Sequence, residues 1–380
     1  LFEKHRKLIK RSLIAQNISK EGLIPFSGDE TYRAAMNAAF GLPLEYAHHE
    51  NSYSPNSSIL FIRAAKGILY LFRKIGAFSE AEPLQEKLSV VENAFYKYFI
   101  LPDGCISAFI TISTMSPHMR PFEDESLIMS FFGNRYFHPE SAYNNIRCLY
   151  ERIYTDKGVL LSTIDDKYKD FLGIRVRKGI LTGMLPGYTL TALTENYHPE
   201  MEDAFNQIGK YADTSGNFGE YLIYDNRNTL SLIYDANGKQ GDYTARFRPW
   251  EGGINLYAII NYLLGFQVLK EDMTIIIRPH LPNNWNFLEA ENIRFDNSSL
   301  SINIIRNSTE YTLLIKSPES IKYKMKIIID YPDGYIFKTD DANKYYIVKG
   351  LFGLNSAVIE MQSLKPGSIK VGYNIYEPTK

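Results

Sequence analysis

At about residue 273 the hydrophobic pattern of this chain changes period. Before it, apolar residues recur at three- and four-residue intervals between polar, Gly- and Pro-containing loops. After it come short alternating or β-branched runs, "MTIIIRPHLP", "LSINIIRN", "YTLLIKSP", "YKMKIIIDYPDGYIF", "YYIVKG" and "SAVIEMQSL", each bounded by Pro, Gly, Asn or Asp. A period of 3.6 places side chains on one face of a helix, and a period of two places them on one face of a strand. A single chain with both therefore reads as a helical domain over residues 1–270 and a β-sandwich-like domain over 271–380, with "EDMT" at the boundary.

The helical region can be counted. The spacing predicts helices over 1–17, 54–76, 82–99, 124–132, 140–153, 180–197, 200–212 and 250–266, about eight in all. Ser54 is placed to cap the second, with Pro55 at the first helical position and Gly76 at the end. Loops of unequal length favour paired helices in a ring over an up-down bundle, whose loops are all short. The fold class expected is mainly α: an (α/α)6 toroid, complete or partial, followed by a small C-terminal β-sandwich.

Composition removes several functions. The 42 Lys and Arg against 43 Asp and Glu give a formal net charge of −1, with no basic stripe to follow a phosphate backbone. Nucleic acid is not an expected partner, and neither is a membrane. The longest apolar run, Ile254 to Leu269, is interrupted by Asn255, Asn261 and Gly265. The two cysteines, Cys105 and Cys148, show neither a disulfide framework nor metal-ligand spacing, and the His pair at 48–49 has no partner motif. No metal and no cofactor are expected. The first residues show no signal-peptide pattern, which inclines the reading to the cytoplasm while a targeting segment upstream stays open.

Nucleophile elbows, phosphate loops and dinucleotide fingerprints are also missing from the sequence, and carboxylates in loops are what remain. Asp29 and Glu30 in "FSGDETY", Glu45 and Glu50 in "LEYAHHEN", Glu123 to Glu125 in "RPFEDES", Glu220 in "SGNFGEY" and Glu251 in "RPWEGGIN" are the candidates. Glycoside hydrolysis uses two such groups, one protonated to assist the leaving oxygen and one ionised to activate water or attack carbon.

"PFEDESLIMSFFGNRYFHPESAYNNIRCLYERIYTDKGVLLS", then "GYTLTALTENYHPEMEDAFNQIGKYADTSGNFGEY", together with the earlier "EGLIPFSGDETY", resemble glucoamylase-type glycoside hydrolases in order and spacing. The likeness covers roughly residues 1–266. It implies an (α/α)6 barrel and inverting hydrolysis of α-linked glucose-type oligosaccharides, with an oligosaccharide as the partner. On it, Glu220 takes the general base position, and Glu30 the general acid position with Asp29 a close rival. The family's Trp-Glu pair is not matched in the acid loop. The last helix, "FRPWEGGINLYAIINYLL", resembles instead trehalase-like (α/α)6 glycosidases. There Trp250 is suited to stack on a sugar, Arg248 and Glu251 to bond hydroxyls, and Glu251 to rival Glu220 as base. Tyr32, Arg33 and Tyr53 fall near the proposed acid as sugar-subsite residues. The acid loop follows the first helix here and the fifth in the family. The expectation is a barrel lacking its first helices, completed by an upstream segment or a partner. A phosphorylase on a related barrel and a non-catalytic sugar-binding protein are the rival functions.

Overall fold

The computed structural model describes residues 2–25, 52–107, 109–117, 137–152, 154–159, 180–212, 215–219, 221–223, 233–234, 240–241, 249–339 and 345–378. These residues form seven α-helices, a π-helix and eighteen strands. The expectation of a mainly α toroid is therefore corrected: strands stand beside the helices throughout, and the C-terminal part is built on sheets. The physical reason is strand length. The strands between helices are two or three residues long, too short to show a period of two. The predicted helix over 124–132 lies outside the described residues.

The chain divides into two compact units. One comprises Leu1–Asn196 and Gln207–Asn255, the other Tyr197–Asn206 and Leu256–Lys380.

In the first unit, helices α1 (Phe2–Ala15), α2 (Pro55–Lys74) and α3 (Phe78–Ala94) surround one apolar cluster. Helix α2 begins as its sequence dictates: the Ser54 hydroxyl accepts from the Ser57 N–H at 2.9 Å, and Pro55 occupies the first turn. It stops at Gly76, whose φ of +70° suits glycine. Ile59, Ile62, Ala65, Leu69 and Phe72 from α2 meet Leu84, Leu88 and Val91 from α3 in this core. The Lys87 ammonium donates to the carbonyls of Ile14 and Gln16 and so closes the C-terminus of α1. Strands β1 (Ser52–Tyr53) and β2 (Ile110–Thr111) pair antiparallel beside this cluster.

Helix α4 (Pro139–Arg152) leads into the hairpin β3 (Tyr154–Thr155) and β4 (Gly158–Val159). The cysteines, unpaired in the sequence reading, form a disulfide between Cys105 and Cys148 of α4, with Cα atoms 5.8 Å apart. Beyond lie β5 (Ile180–Thr182), α5 (Leu185–Glu195), α6 (Met201–Ile208), β6 (Tyr221–Ile223), β7 (Ile233–Tyr234), β8 (Gln240–Gly241) and α7 (Pro249–Leu264). The segment read as one helix over 180–197 is thus a strand, a turn and a shorter helix.

The second unit holds ten strands: β9 (Gln267–Leu269), β10 (Thr274–Ile277), β11 (Phe287–Phe295), β12 (Ser298–Asn307), β13 (Glu310–Ser317), β14 (Lys324–Pro332), β15 (Ile336–Thr339), β16 (Tyr345–Lys349), β17 (Leu354–Met361) and β18 (Gly367–Tyr376). They form two five-stranded sheets, ordered β16-β17-β14-β10-β9 and β11-β12-β13-β18-β15. All neighbours are antiparallel except β10 and β14, which run parallel. Ile275, Ile277, Ile327, Ile329 and Ile359 of the first sheet share one apolar core with Ile302, Ile304, Leu313, Ile315 and Val371 of the second. One buried ionic group sits in this unit. Asp330 of β14 accepts from Arg278 Nε at 2.6 Å and faces His280 Nε2 at 2.8 Å, while the Ser356 hydroxyl donates to its other oxygen. His280 Nδ1 lies 2.8 Å from the Tyr262 carbonyl. Both ring nitrogens of His280 thus face acceptor oxygens, so both bonds form together only when the ring carries two protons. Burial alone would raise the Asp330 carboxyl, but Arg278 and His280 outweigh it and hold the group well below the usual carboxylate range.

Replacing both cysteines by serine frees a loop of 43 residues and is expected to cost about 4 kcal/mol on the chain-entropy scale, read as a lower denaturant midpoint. For Asp330, whose folded pKa is depressed, the stabilisation is present above the ordinary value of 3.8 and is lost as pH falls through the folded value. Asp330→Asn is expected to cost about 3–5 kcal/mol near neutrality and to flatten the loss of stability that the wild type shows in acid.

Candidate functional site

Most of the residues singled out in the sequence (Asp29, Glu30, Tyr32, Arg33, Glu220 and Arg248) lie outside the described residues. Tyr53, Trp250 and Glu251 are described. Tyr53 sits in β1, 8% exposed, within the core of the α1–α3 cluster, so its ring is spent on packing. Trp250 and Glu251 occupy the first turn of α7 and differ sharply: Trp250 is 54% exposed and Glu251 1%. Pro249 opens this helix at the position where its missing N–H is no loss. An acidic side chain in the first turn interacts favourably with the helix dipole.

One turn further along α7, Asn255 is fully buried and donates from Nδ2 to the carbonyl of Gly183 at 2.8 Å. Side chains at i and i+4 lie on the same face of a helix, so Glu251 and Asn255 share the buried face of α7. Gly183 directly follows β5, and β5 pairs antiparallel with β6 in the register Thr182 to Tyr221. A Cβ on Gly183 would lie 2.1 Å from the carbonyl oxygen of Gly219. The chain is therefore fixed on both sides of position 220, by Gly219 against Gly183 and by Tyr221 against Thr182. Helix α5 approaches just as closely, since a Cβ on Gly187 would lie 2.6 Å from Asn255 Oδ1 and 2.8 Å from Ile254 Cγ2.

Helix α5 is buried along most of its length, including Leu185, Pro186, Gly187 and every residue from Thr189 to Thr194. It tolerates polar residues there because Thr189 and Thr194 donate to the carbonyls of Leu185 and Leu190, four residues back. The sequence reading missed Gly183, Gly187 and Asn255. The signal for Asn255 was present, as an amide in an otherwise apolar helix that needs a partner when buried. Among the described residues no group of three or more His, Cys, Asp or Glu is arranged to hold a metal ion, and no helix is long and apolar enough to cross a membrane.

No family model and no curated protein matches this chain. Solved structures do. The α-L-rhamnosidase from Dictyoglumus thermophilum aligns with a TM-score of 0.55 at 11% identity, over 98% of this chain and 37% of that one. The Streptomyces avermitilis α-L-rhamnosidase, solved with L-rhamnose, gives 0.52 at 11% identity, over 96% and 29%. A sialidase gives 0.60 at 14% identity, over 83% and 29%. The chain thus spans little more than a third of these proteins at most. At such identities the likeness is one of fold, and the fold is one found in glycoside hydrolases. It carries the coarser part of the resemblance seen in the sequence and does not extend to the glucoamylase type.

Gly183→Ala is expected to cost about 1–3 kcal/mol, because the clashing atom belongs to the backbone of Gly219 and cannot rotate away. Urea denaturation would read the loss, and a Gly209→Ala control, where a Cβ meets nothing within 4 Å and φ is not left-handed, separates the contact from the general effect of replacing a glycine.

Proposed function

We propose that the chain acts as a glycoside hydrolase, with Glu30 as general acid and Glu220 as general base in an inverting reaction. The observation that carries the proposal is the fold likeness to α-L-rhamnosidases over nearly the whole chain. The burial of Glu251 argues against that residue in the base role. A general base must reach a water molecule, and the side chain of Glu251 is buried in the first turn of α7; its residue type and place fit helix capping. The residues on either side of Glu220 in the sequence, Gly219 and Tyr221, are held by backbone contacts to Gly183 and Thr182, and a catalytic carboxylate needs a fixed backbone. Glu30, with Asp29 as the alternative, would protonate the glycosidic oxygen. The proposed pair would stand about 6.5–9.5 Å apart, leaving room for the attacking water. Trp250, exposed beside Glu251, offers an aromatic face to a sugar ring.

α-L-Rhamnosides are the substrate class to test first, because that is what two of the similar structures are named for. α-Linked glucose oligosaccharides are the second reading, favoured by the order of the motifs around Glu30 and Glu220.

Purified protein offered aryl α-L-rhamnosides and α-D-glucosides is expected to release the sugar with inverted anomeric configuration, seen by proton NMR before mutarotation. Glu220→Gln should lower kcat by about 10²–10⁴-fold with both substrate types. Glu30→Gln should lose most activity on alkyl leaving groups and least on activated aryl ones, which need little protonation. Turnover unchanged in Glu220→Gln would sink the base assignment, and a folded protein that hydrolyses neither class would sink the substrate reading.

A further inference from the structure

We propose that strand β16 is a self-pairing edge through which two copies of this chain join their sheets. The inference is independent of the activity proposed above.

The two sheets of the second unit present four edges: β16 and β9 in one sheet, β11 and β15 in the other. An unpaired edge offers its N–H and C=O groups to any other strand, and proteins blunt such edges with short length, charge or bulges. Three of the four carry such a device. Strand β9 has three residues and β15 four, with Lys338 in the middle of the latter. Strand β11 is interrupted by a bulge between Ala290 and Ile293 and carries Glu289, Glu291 and Arg294. Strand β16 has no bulge, and its single charge, Lys349, stands at its end. Its five residues, Tyr-Tyr-Ile-Val-Lys, pair with β17 in unbroken register. Tyr345, Tyr346, Ile347 and Val348 are 38–52% exposed. The Tyr345 ring meets Phe337 of β15 at 5.2 Å.

The sequence of this strand points to a second copy as the occupant. In an antiparallel pair centred on Ile347, Ile347 faces itself, Tyr346 faces Val348, and Tyr345 faces Lys349. Aromatic and β-branched residues then lie opposite each other, a favourable cross-strand combination. The strand's one charge lies over a tyrosine ring, where a cation is attracted, and the two Lys349 side chains stand at opposite ends of the pair. Parallel pairing in register would set Lys349 against Lys349, which is repulsive. The strand therefore complements itself under a two-fold axis, the symmetry on which most homodimers are built.

The test is sedimentation equilibrium of the 380-residue chain over a concentration series. The expected result is a monomer–dimer equilibrium reaching twice the monomer mass. Ile347→Lys should abolish the dimer by setting two ammonium groups on the axis, with an unchanged melting temperature at concentrations where the wild type is monomeric, since residue 347 is half exposed. A second arm does not rely on that variant folding. Because Cys105 and Cys148 are bridged, Ile347→Cys adds a lone thiol. A short bis-maleimide should link two such chains, and should leave Leu351→Cys, which lies beyond the strand, unlinked. A monomer at every concentration, a dimer that survives Ile347→Lys, or equal cross-linking from position 351 would overturn the proposal.

Discussion

The contact between Gly183 and Gly219 is the constraint on which the arrangement of the first unit's second half depends. Two chain segments meet there at a distance that admits no side chain. The β5–β6 ladder on one side and the Asn255 amide on the other hold them together. The amide is a costly group to bury, and its bond to a backbone carbonyl offsets that cost while adding direction that apolar packing lacks. Helix α7 is thereby fixed in rotation as well as in position, with Glu251 and Asn255 inward and Trp250 outward. A leucine at position 255 would have supplied apolar contact and left the Gly183 carbonyl without its partner.

The second unit solves a related problem with charge. Its core is apolar, aliphatic with a few aromatic rings, and apolar packing alone leaves the angle of an incoming helix loosely specified. The group formed by Asp330, Arg278, His280 and Ser356 supplies the specification, because His280 also bonds the Tyr262 carbonyl of α7. The backbone repeats the connection, with the N–H groups of Arg278 and His280 donating to the carbonyls of Leu264 and Leu263. Gly265, at a φ of +50°, allows the close approach, since a Cβ there would lie 2.4 Å from the Arg278 carbonyl oxygen. Tyr197, itself at a φ of +58°, lays its ring 3.2 Å from the Arg278 guanidinium. A bulky residue in that backbone region is costly, and the stacking contact goes some way to offset it.

What the sequence disclosed follows from the range of the physics involved. Helix α2 was legible because its signals are local: a serine cap, a proline in the first turn and a glycine after the last. Strands β12, β13 and β14 were legible because each alternates toward one buried face, and β17 because it is a short apolar, β-branched run bounded by turn residues. Strand β11 was not, since its bulge breaks the alternation and its charges read as a loop. Strand β18 was missed too; Gly372 interrupts it and much of it is exposed. The β3–β4 and β7–β8 pairs of the first unit are local but only two residues long, while β1–β2 and β5–β6 rest on pairings between residues far apart in the chain. Nothing near Thr182 announces its partner 39 positions on. The Cys105–Cys148 bridge is of the same kind. At the candidate site, loop acids could be named from residue type, but the contacts that support them are glycine approaches and a buried amide, which leave little trace in composition.

Burial separates two neighbours on one helix turn in a way that sequence could not. In the sequence Trp250 and Glu251 both offer themselves to a sugar, the ring by stacking and the acid by bonding hydroxyls or rivalling Glu220 as base. Activating a water requires a carboxylate whose oxygens are reachable, and Glu251 is withdrawn from solvent while Trp250 is left outside. In the reaction proposed for this chain, the exposed indole of Trp250 presents a surface to the sugar, and the acidic residue beside it suits the positive end of the helix dipole. The acid and the base are then sought outside this helix turn, at Glu30 and Glu220.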